Sequence, residues 1–302
     1  MINWLSIIFV FGAMLCWGVG DFLIQKTVRR LGSIMTIAWI GVFSSILLLP
    51  FVVGDLLHLS LSEYLILIIA GVVTYFSAYF HFQALAIGKF SVVEIILTIE
   101  LPITILFGIV FFQETLDMYQ VFMVLALMVG VGLISYREDG DLNFWQKIAN
   151  YIFRYEFFKK ERLEKGAWLA LLTGVFLGIV NFVTAYGAKE ISPLLSIWLP
   201  WFIFSIISLA YLVTHSQFAK MWQLGWQAKS LVIPMAILDI AAWLFYVYAV
   251  KDNSLSVTII ITQSYPVIAV LLAVSINRER LRWYQYGGVI LAMSASILIS
   301  FV

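Results

Sequence analysis

The fold is decided by residues 97–135, LTIELPITILFGIVFFQETLDMYQVFMVLALMVGVGLIS, two apolar runs on either side of a short polar turn. Residues 261–300, ITQSYPVIAVLLAVSINRERLRWYQYGGVILAMSASILIS, repeat that pattern. Pro102 matches Pro266 at an offset of 164 residues, and the second half of each stretch matches at 165. A repeat of this length predicts a molecule built from two related halves. We expect the chemistry to lie where the halves face each other.

The composition predicts a protein embedded in lipid. Hydrophobic residues make up 63% of the chain and charged residues 12%, whereas water-soluble domains average about 25% charged residues. The formal net charge of +1 argues against a nucleic-acid partner. Cys16 is the only cysteine and the three histidines lack ligand spacing, so we expect no intramolecular disulfide, metal site or cofactor.

Ten apolar runs have the length that a bilayer requires of a helix, roughly 20 residues. The runs are continuous rather than alternating, which favours helices over a closed barrel. The predicted fold class is therefore an all-α membrane protein with ten transmembrane helices. The ten predicted spans are Ile2–Gln25, Leu31–Val53, Ser62–Ile87, Phe90–Phe112, Tyr119–Tyr136, Gly166–Ala188, Pro193–Thr214, Ser230–Val250, Ser254–Ile276 and Trp283–Val302.

The distribution of basic residues predicts the orientation. The odd-numbered connections hold 16 of the 18 lysines and arginines, so these connections should be cytoplasmic and both termini outside. The alternative, an internal N-terminus, needs the opposite charge bias. Five spans per half is an odd number, which predicts two repeats, residues 1–136 and 166–302, inverted in an inner or plasma membrane.

A long connection, residues 137–165, joins the two predicted repeats. Apolar residues recur at helical spacing between positions 144 and 158, with lysines and arginines between them. This pattern predicts an amphipathic helix on the cytoplasmic surface of the membrane. We interpret it as a tether between the halves, since only its position would suggest a regulatory role.

The sequence resembles a known family in several of these features. Two five-helix halves, Pro102 and Pro266, and the polar endings at Glu114 and Glu279 resemble the drug/metabolite transporter superfamily, in particular its EamA-type members. The resemblance covers essentially the whole chain, although the long connection departs from it. It implies transport of small metabolites such as amino acids or amines, by exchange or with protons. It also implies a central cavity lined mainly by spans 1, 3, 4, 6, 8 and 9.

Four acids fall within predicted spans, where ionisable groups are costly and are functional candidates by default. They are Asp21, Glu94, Glu100 and Asp239. Glu100 and Asp239 lie ~15 Å and ~14 Å along their spans from the predicted cytoplasmic face, at the bilayer midplane. Asp21 and Glu94 are each five residues from a lysine, so for these two, pairing near the interface is an equal alternative.

The two prolines are predicted hinges beside a binding site. Pro102 follows Glu100 by two residues, and a proline removes a backbone hydrogen bond and opens the helix. The matching segment holds Gln263 and Tyr265 before Pro266. These neutral groups are expected to face the acid, as in broken-helix transporters.

Aromatic residues surround the predicted acids. Asp239, Trp243 and Tyr246 share one face of a helix at i, i+4 and i+7, and aromatic rings around carboxylates suit a cation. Trp198 and Trp201 could extend this lining, although packing or an interfacial belt also explains single tryptophans. The predicted substrate-binding set is Trp17, Asp21, Trp39, Tyr75, Tyr79, Glu100, Asn181, Asp239, Trp243, Tyr246, Gln263 and Tyr265.

These residues predict a secondary active transporter of a small polar or cationic metabolite, working by alternating access, with buried acids available for proton coupling. The expected partners are the substrate and membrane lipid, and the chain is expected as a monomer or homodimer. One alternative is a flippase for lipids or lipid-linked metabolites. Another is an intramembrane aspartyl protease, because Gly18 to Asp21 match a Gly-x-Gly-Asp pattern. No Pro-Ala-Leu element accompanies that pattern, and Asp239 is expected at a different depth, so an enzyme is not expected.

Overall fold

The computed structural model describes residues 4–88, 93, 96–135, 165–265, 267–268, 271–272, 275 and 283–299. Glu94, Pro266, Glu279 and nearly all of the predicted linker lie outside these residues. Within them the regular secondary structure is entirely helical. The helices are α1 (Trp4–Leu31), α2 (Ser33–Leu56), α3 (Leu61–Ile87), α4 (Glu100–Phe112), α5 (Met118–Ser135), α6 (Lys165–Glu190), α7 (Leu195–Thr214), α8 (Phe218–Gln227), α9 (Lys229–Asp252), α10 (Leu255–Thr262) and α11 (Trp283–Ile299).

Of the helices that the structure describes, six are long and apolar enough to cross a membrane: α1, α2, α3, α6, α7 and α9. Shorter apolar helices lie within α4, α5 and α11. The prediction of an all-helical chain rich in membrane-spanning segments is confirmed. The sequence reading did not predict α8, a short amphipathic helix between α7 and α9 that contains two exposed tryptophans, Trp222 and Trp226.

The predicted fourth and ninth spans are each interrupted by a turn. Residues Thr98 and Ile99 form a turn before α4, with the Leu101 amide donating to the Thr98 carbonyl at 3.1 Å. Pro102 therefore occupies the first turn of α4, where a missing N–H leaves no helical bond unmade. The second break follows α10, where Gln263 and the residue after it form a turn. Polar side chains at both breaks consequently lie at helix ends within an apolar bundle.

The largest helix contacts join the N-terminal and C-terminal parts of the chain. Helix α1 packs on α9, α2 on α7, α3 on α6, and α5 on α11. The breaks also meet, because α4 contacts both α6 and α10. The core of the molecule is thus the interface between helices that precede residue 137 and helices that follow residue 164.

Glycines bring α6 close to α4 and α11 close to α5. A methyl group added to Gly178 would lie 2.5 Å from Ile103 Cγ2, and one added to Gly174 would lie 2.3 Å from Ile99 Cγ2. A methyl group at Gly130 of α5 would lie 2.7 Å from the Ala292 backbone nitrogen. Small residues of α6 and α11, Gly174, Gly178 and Ala292, therefore lie at close contacts within the chain, a use of small-xxx-small spacing that is common in membrane helices.

Gly178→Ala should destabilise the protein, although alanine favours helices more than glycine does. The new methyl group overlaps Ile103, and overpacking of this kind typically costs about 1–3 kcal/mol. Gly287→Ala is the matched control, because no atom lies within 4 Å of the position of its added methyl group. Thermal unfolding of the detergent-purified variants measures both. An unchanged melting temperature in Gly178→Ala would contradict the close packing of α6 on α4.

Candidate functional site

A cavity with a mainly apolar surface and several polar side chains lies between the two parts of the chain, bordered by α1, α2, α3, α4, α6, α7, α9 and the turn after α10. The space inside it in which the centre of a water molecule can lie measures about 90 Å³. A single water needs roughly 10–15 Å³ on the same measure. A small solute therefore fits. Its polar lining consists of Asp21, Thr74, Ser77, His81, Glu100, Asn181, Asp239 and Gln263, and its aromatic lining of Trp17, Phe82, Trp201, Phe204, Trp243 and Tyr265.

The carboxylate of Glu100 is held by two amides from the C-terminal part of the chain. Gln263 Nε2 donates to Glu100 Oε1 at 2.7 Å, and Asn181 Nδ2 donates to Glu100 Oε2 at 3.0 Å. The glutamate is only 3% exposed. It begins α4, whose N-terminus favours a negative charge. Hydrogen bonds to an ionised group are about twice as strong as neutral ones, so this cluster ties α4 to α6 and to the end of α10.

Asn181 is itself fixed by two neighbours. Its side-chain amide also lies 3.4 Å from Thr104 Oγ1, and the hydroxyl of Tyr246 donates to its backbone carbonyl at 3.0 Å. Tyr246 is completely buried and does not line the cavity. The tyrosine therefore supports the residue that holds Glu100 rather than facing the cavity.

Asp239 lines the same cavity with fewer partners. Its Oδ2 accepts a long hydrogen bond of 3.4 Å from Trp201 Nε1. Asp21 is a third acid in the lining, and the described lining contains no lysine or arginine. Within the described lining, three acids therefore share one cavity, and His81 is the only side chain there that can carry a positive charge.

Three aromatic rings form a wall beside Asp239. The ring centroid of Trp243 lies 5.2 Å from that of Trp17 and 5.1 Å from that of Trp201, with both pairs edge to face. Edge-to-face pairs of this kind are favourable beyond their buried area. These contacts hold the three rings against one another, and ring faces of this type attract cations.

Besides Tyr246, three predicted site residues lie outside the cavity lining. Tyr75 and Tyr79 stack on each other with centroids 6.3 Å apart and are only partly buried. Trp39 joins α2 to α8, since its Nε1 donates to the Met221 carbonyl at 3.2 Å and its ring lies against Gly225. The structure places the other predicted residues, apart from the supporting Tyr246, around one cavity.

Helix α3 faces the cavity with a different set of residues from the predicted tyrosines. Thr74, Ser77 and His81 line it at i, i+3 and i+7. Ser77 and His81 are 1% and 8% exposed. From the sequence, His81 has no predicted role beyond the absence of metal-ligand spacing among the histidines, although its spacing from Ser77 and Thr74 marks one polar stripe on a mainly apolar helix.

At one end of the bundle, Glu114 joins the two parts of the chain. Its carboxylate accepts from the Leu255 and Ser256 amides at 2.6 and 2.9 Å, and from Ser256 Oγ at 2.6 Å. It thereby caps the N-terminus of α10, where both the free amides and the helix dipole favour an anion. Gly108 makes room for it, because an added methyl group would lie 2.7 Å from Glu114 Oε2.

A second contact lies at the same end. Lys189, near the end of α6, donates to the Asn253 carbonyl at 2.8 Å and lies 4.9 Å from the centre of the Phe112 ring. Three helices run from the cavity to this end of the bundle: α4, α6 and α10. Helix α10 begins at this end and finishes beside Gln263 at the cavity. These contacts therefore close the bundle there by joining α4, α6, α9 and α10.

The family model of the EamA-like transporter family matches residues 4–136 and 164–301. The chain belongs to the EamA-like transporter family. The match covers two repeats of the family, which confirms the resemblance predicted from the prolines and glutamates. Together with its apolar helices, membership makes this EamA-like chain an integral membrane protein of a drug/metabolite transporter type. The EamA-like family is generally non-enzymatic.

Solved structures share the fold of this EamA-like protein. Twenty-five solved chains match it, and one crystal structure superposes with a TM-score of 0.66 over 98% of this chain and 96% of the other. The two sequences are 15% identical, so this likeness concerns the fold alone. None of the curated proteins compared with the chain matches it.

Glu114→Gln should lower the melting temperature of the detergent-purified protein. A neutral amide keeps one acceptor but loses the charge, and helix caps contribute about 1–2 kcal/mol. Glu190→Gln is the control, because Glu190 is an exposed acid close to the same end of the bundle. Equal melting temperatures for the two variants would mean that the Glu114 cap contributes nothing measurable.

Proposed function

We propose that this protein is a secondary transporter that moves a small organic cation or a similarly polar metabolite through the cavity between its halves. The observation that carries the proposal is the presence of Glu100 and Asp239 in one buried cavity without a lysine or arginine in the described lining. Buried acids are expensive in an apolar bundle. A positively charged cargo would offset that cost whenever it is bound.

The aromatic wall supports a cationic cargo. Trp17, Trp201 and Trp243 lie in the same lining as the acids, and tryptophan attracts cations more strongly than the other aromatic residues. A flippase for lipids would call for a cavity with few acids, and this lining holds three. The three acids in the lining therefore favour a small solute over a lipid.

Asp21 also lines the cavity with Asp239, so the expected difference in their depths no longer argues against an aspartyl protease. Membership of the EamA-like family, rather than that difference, supports transport over proteolysis.

The two carboxylates differ in what they offer to a cargo. Both oxygens of Glu100 already accept amide hydrogen bonds, whereas Asp239 accepts one long bond from Trp201. Asp239 is thus the more available group for an incoming cation or proton. In this proposal Glu100 keeps its hydrogen bonds and supplies negative charge to the cavity. Asp239 gives up its hydrogen bond from Trp201 when the cation or proton binds, and regains it on release.

Alternating access is proposed from the pairing of the helices. If the halves are inverted repeats, a two-fold axis relates α1 to α6 and α3 to α9. The contact between α1 and α9 is then equivalent to the contact between α6 and α3. Both pairs are among the largest contacts in the described structure. The predicted fourth span is broken before α4, and the predicted ninth span is broken after α10. Ten spans result when each of these broken spans is counted once. The halves could then rock about the cavity.

The orientation and oligomeric state are also part of the proposal. The distribution of basic residues supports cytoplasmic odd-numbered connections with both termini outside. The small residues of α6 and α11 pack on helices of the same chain, which supports a monomer.

A thermal-shift screen of the purified protein tests the cargo class. Ligands of the folded state raise the melting temperature by mass action. We expect amines and quaternary ammonium compounds to raise it at two pH values, and nucleosides to leave it unchanged. Stabilisation by anionic compounds alone would contradict a cationic cargo.

Glu100→Gln and Asp239→Asn should each lower uptake of the best amine into proteoliposomes by about tenfold to a hundredfold. A hydrogen bond to a charged group contributes about 1.5–3 kcal/mol, which sets that range. Asp252→Asn is the control, because Asp252 is an exposed acid at the end of the same helix as Asp239. Gel filtration checks that the variants fold. Normal uptake by both cavity variants would defeat the assignment of this site.

A further inference from the structure

Three polar atoms in the cavity lining have no hydrogen-bond partner among the described residues. They are Ser77 Oγ, His81 Nε2 and Gln263 Oε1. All three side chains are more than nine-tenths buried. Leaving a buried donor or acceptor unpaired is costly, and buried polar groups in native proteins nearly always find partners. Four other buried polar atoms, in Gln25, Ser33, Ser44 and Ser45, also lack a partner among the described residues but do not line the cavity. The three that line it are the ones that a bound cargo can reach and pair with.

The hydroxyl of Ser77 lacks the hydrogen bond to its own helix that several other buried hydroxyls of the bundle make. Thr74, on the same helix, donates to the Ala70 carbonyl one turn earlier at 2.7 Å, and Ser208 of α7 donates to the Phe204 carbonyl at 2.8 Å. Helical serines commonly satisfy themselves in this way. Ser77 makes no such bond and lies one turn from His81 on the same cavity-facing stripe.

The chemistry of this pair suits a neutral group. A serine hydroxyl both donates and accepts, and a neutral imidazole nitrogen does one or the other according to its tautomer. Together they match a hydroxyl or a primary amide, each of which also donates and accepts. A carboxylate fits poorly, because Asp21, Glu100 and Asp239 share the lining and like charges repel in a low-dielectric site.

We propose that the cavity binds a cargo with two poles. A positively charged amine lies at the acids and tryptophans, and a neutral hydroxyl or amide pairs with Ser77 and His81. Gln263 Oε1 accepts a further hydrogen from the cargo, while the amide nitrogen of the same side chain holds Glu100. The cargo class is thus an amino alcohol or amino amide rather than a simple alkylamine or a zwitterionic amino acid. The charged pole rests on the proposed function, and the neutral pole rests on the unpaired atoms of α3.

Calorimetric titration of the purified full-length protein tests the neutral pole. The probes are linear amino alcohols of increasing length, each compared with the alkylamine, the amino acid and the diol that have the same number of heavy atoms. At the best length we expect the amino alcohol to bind about fivefold to tenfold tighter than the alkylamine, the equivalent of one net hydrogen bond. The amino acid should bind more weakly than the alkylamine, and the diol more weakly than either amine.

Variants connect that preference to α3. Ser77→Ala and His81→Phe should each bring the affinity for the amino alcohol closer to the affinity for the alkylamine. Each variant removes a group that pairs with the hydroxyl of the amino alcohol. Ser208→Ala is the matched control: Ser208 is an equally buried helical serine outside the cavity lining, and its loss should leave the preference for the amino alcohol unchanged.

The outcomes separate this inference from the function on which it rests. The neutral pole would be overturned if the amino alcohol bound no tighter than the alkylamine at any length. It would also be overturned if the preference for the amino alcohol survived both α3 variants. Either result would leave the proposed function standing. Tighter binding of the amino acid than of either amine would overturn the two-pole cargo. Binding of none of the amines would overturn the cationic cargo itself.

Discussion

The carboxylate of Glu100, buried between two amides, is the interaction on which the rest of the site depends. A buried charge is tolerated only when it is paired or well hydrogen-bonded. Here both donors, Asn181 and Gln263, come from helices that follow residue 164, while Glu100 precedes residue 137. The acid is therefore stabilised only when the two parts of the chain have assembled.

Two turns in the middle of the bundle make that arrangement possible. The break before α4 places Glu100 in the first turn of a helix, and the break after α10 places Gln263 in a turn within hydrogen-bonding distance of it. In a continuous helix, the backbone N–H and C=O groups hydrogen-bond to each other and no helix end lies in the bundle core. In an interrupted helix, the ends expose such groups, which is tolerated where they line a cavity. The close contact of Gly178 with Ile103 brings α6 within reach, so that the Asn181 amide can bond to Glu100.

The cavity that results is asymmetric in its chemistry. Near α4 and α6, the carboxylate of Glu100 has its hydrogen-bonding capacity largely met by the protein. Asp239 instead stands beside a wall of tryptophans with one long hydrogen bond, and α3 contributes a stripe with unpaired polar atoms at Ser77 and His81. A site that is fixed in one region and incomplete in others is suited to binding and releasing a cargo.

The sequence by itself determined the class of the protein, because runs of about twenty apolar residues have few solutions in a bilayer other than helices. The internal repeat pointed to the family, and the rarity of acids in apolar runs singled out Glu100 and Asp239. Only the tertiary structure decided which faces of the helices turn inward. A helix that is apolar all round carries no amphipathic signal, so the sequence reading placed Tyr75 and Tyr79 in the cavity instead of the adjacent stripe with Ser77 and His81. Hydrogen-bond partners from distant helices, which alone distinguish a satisfied carboxylate from an available one, appear only when the chain is folded.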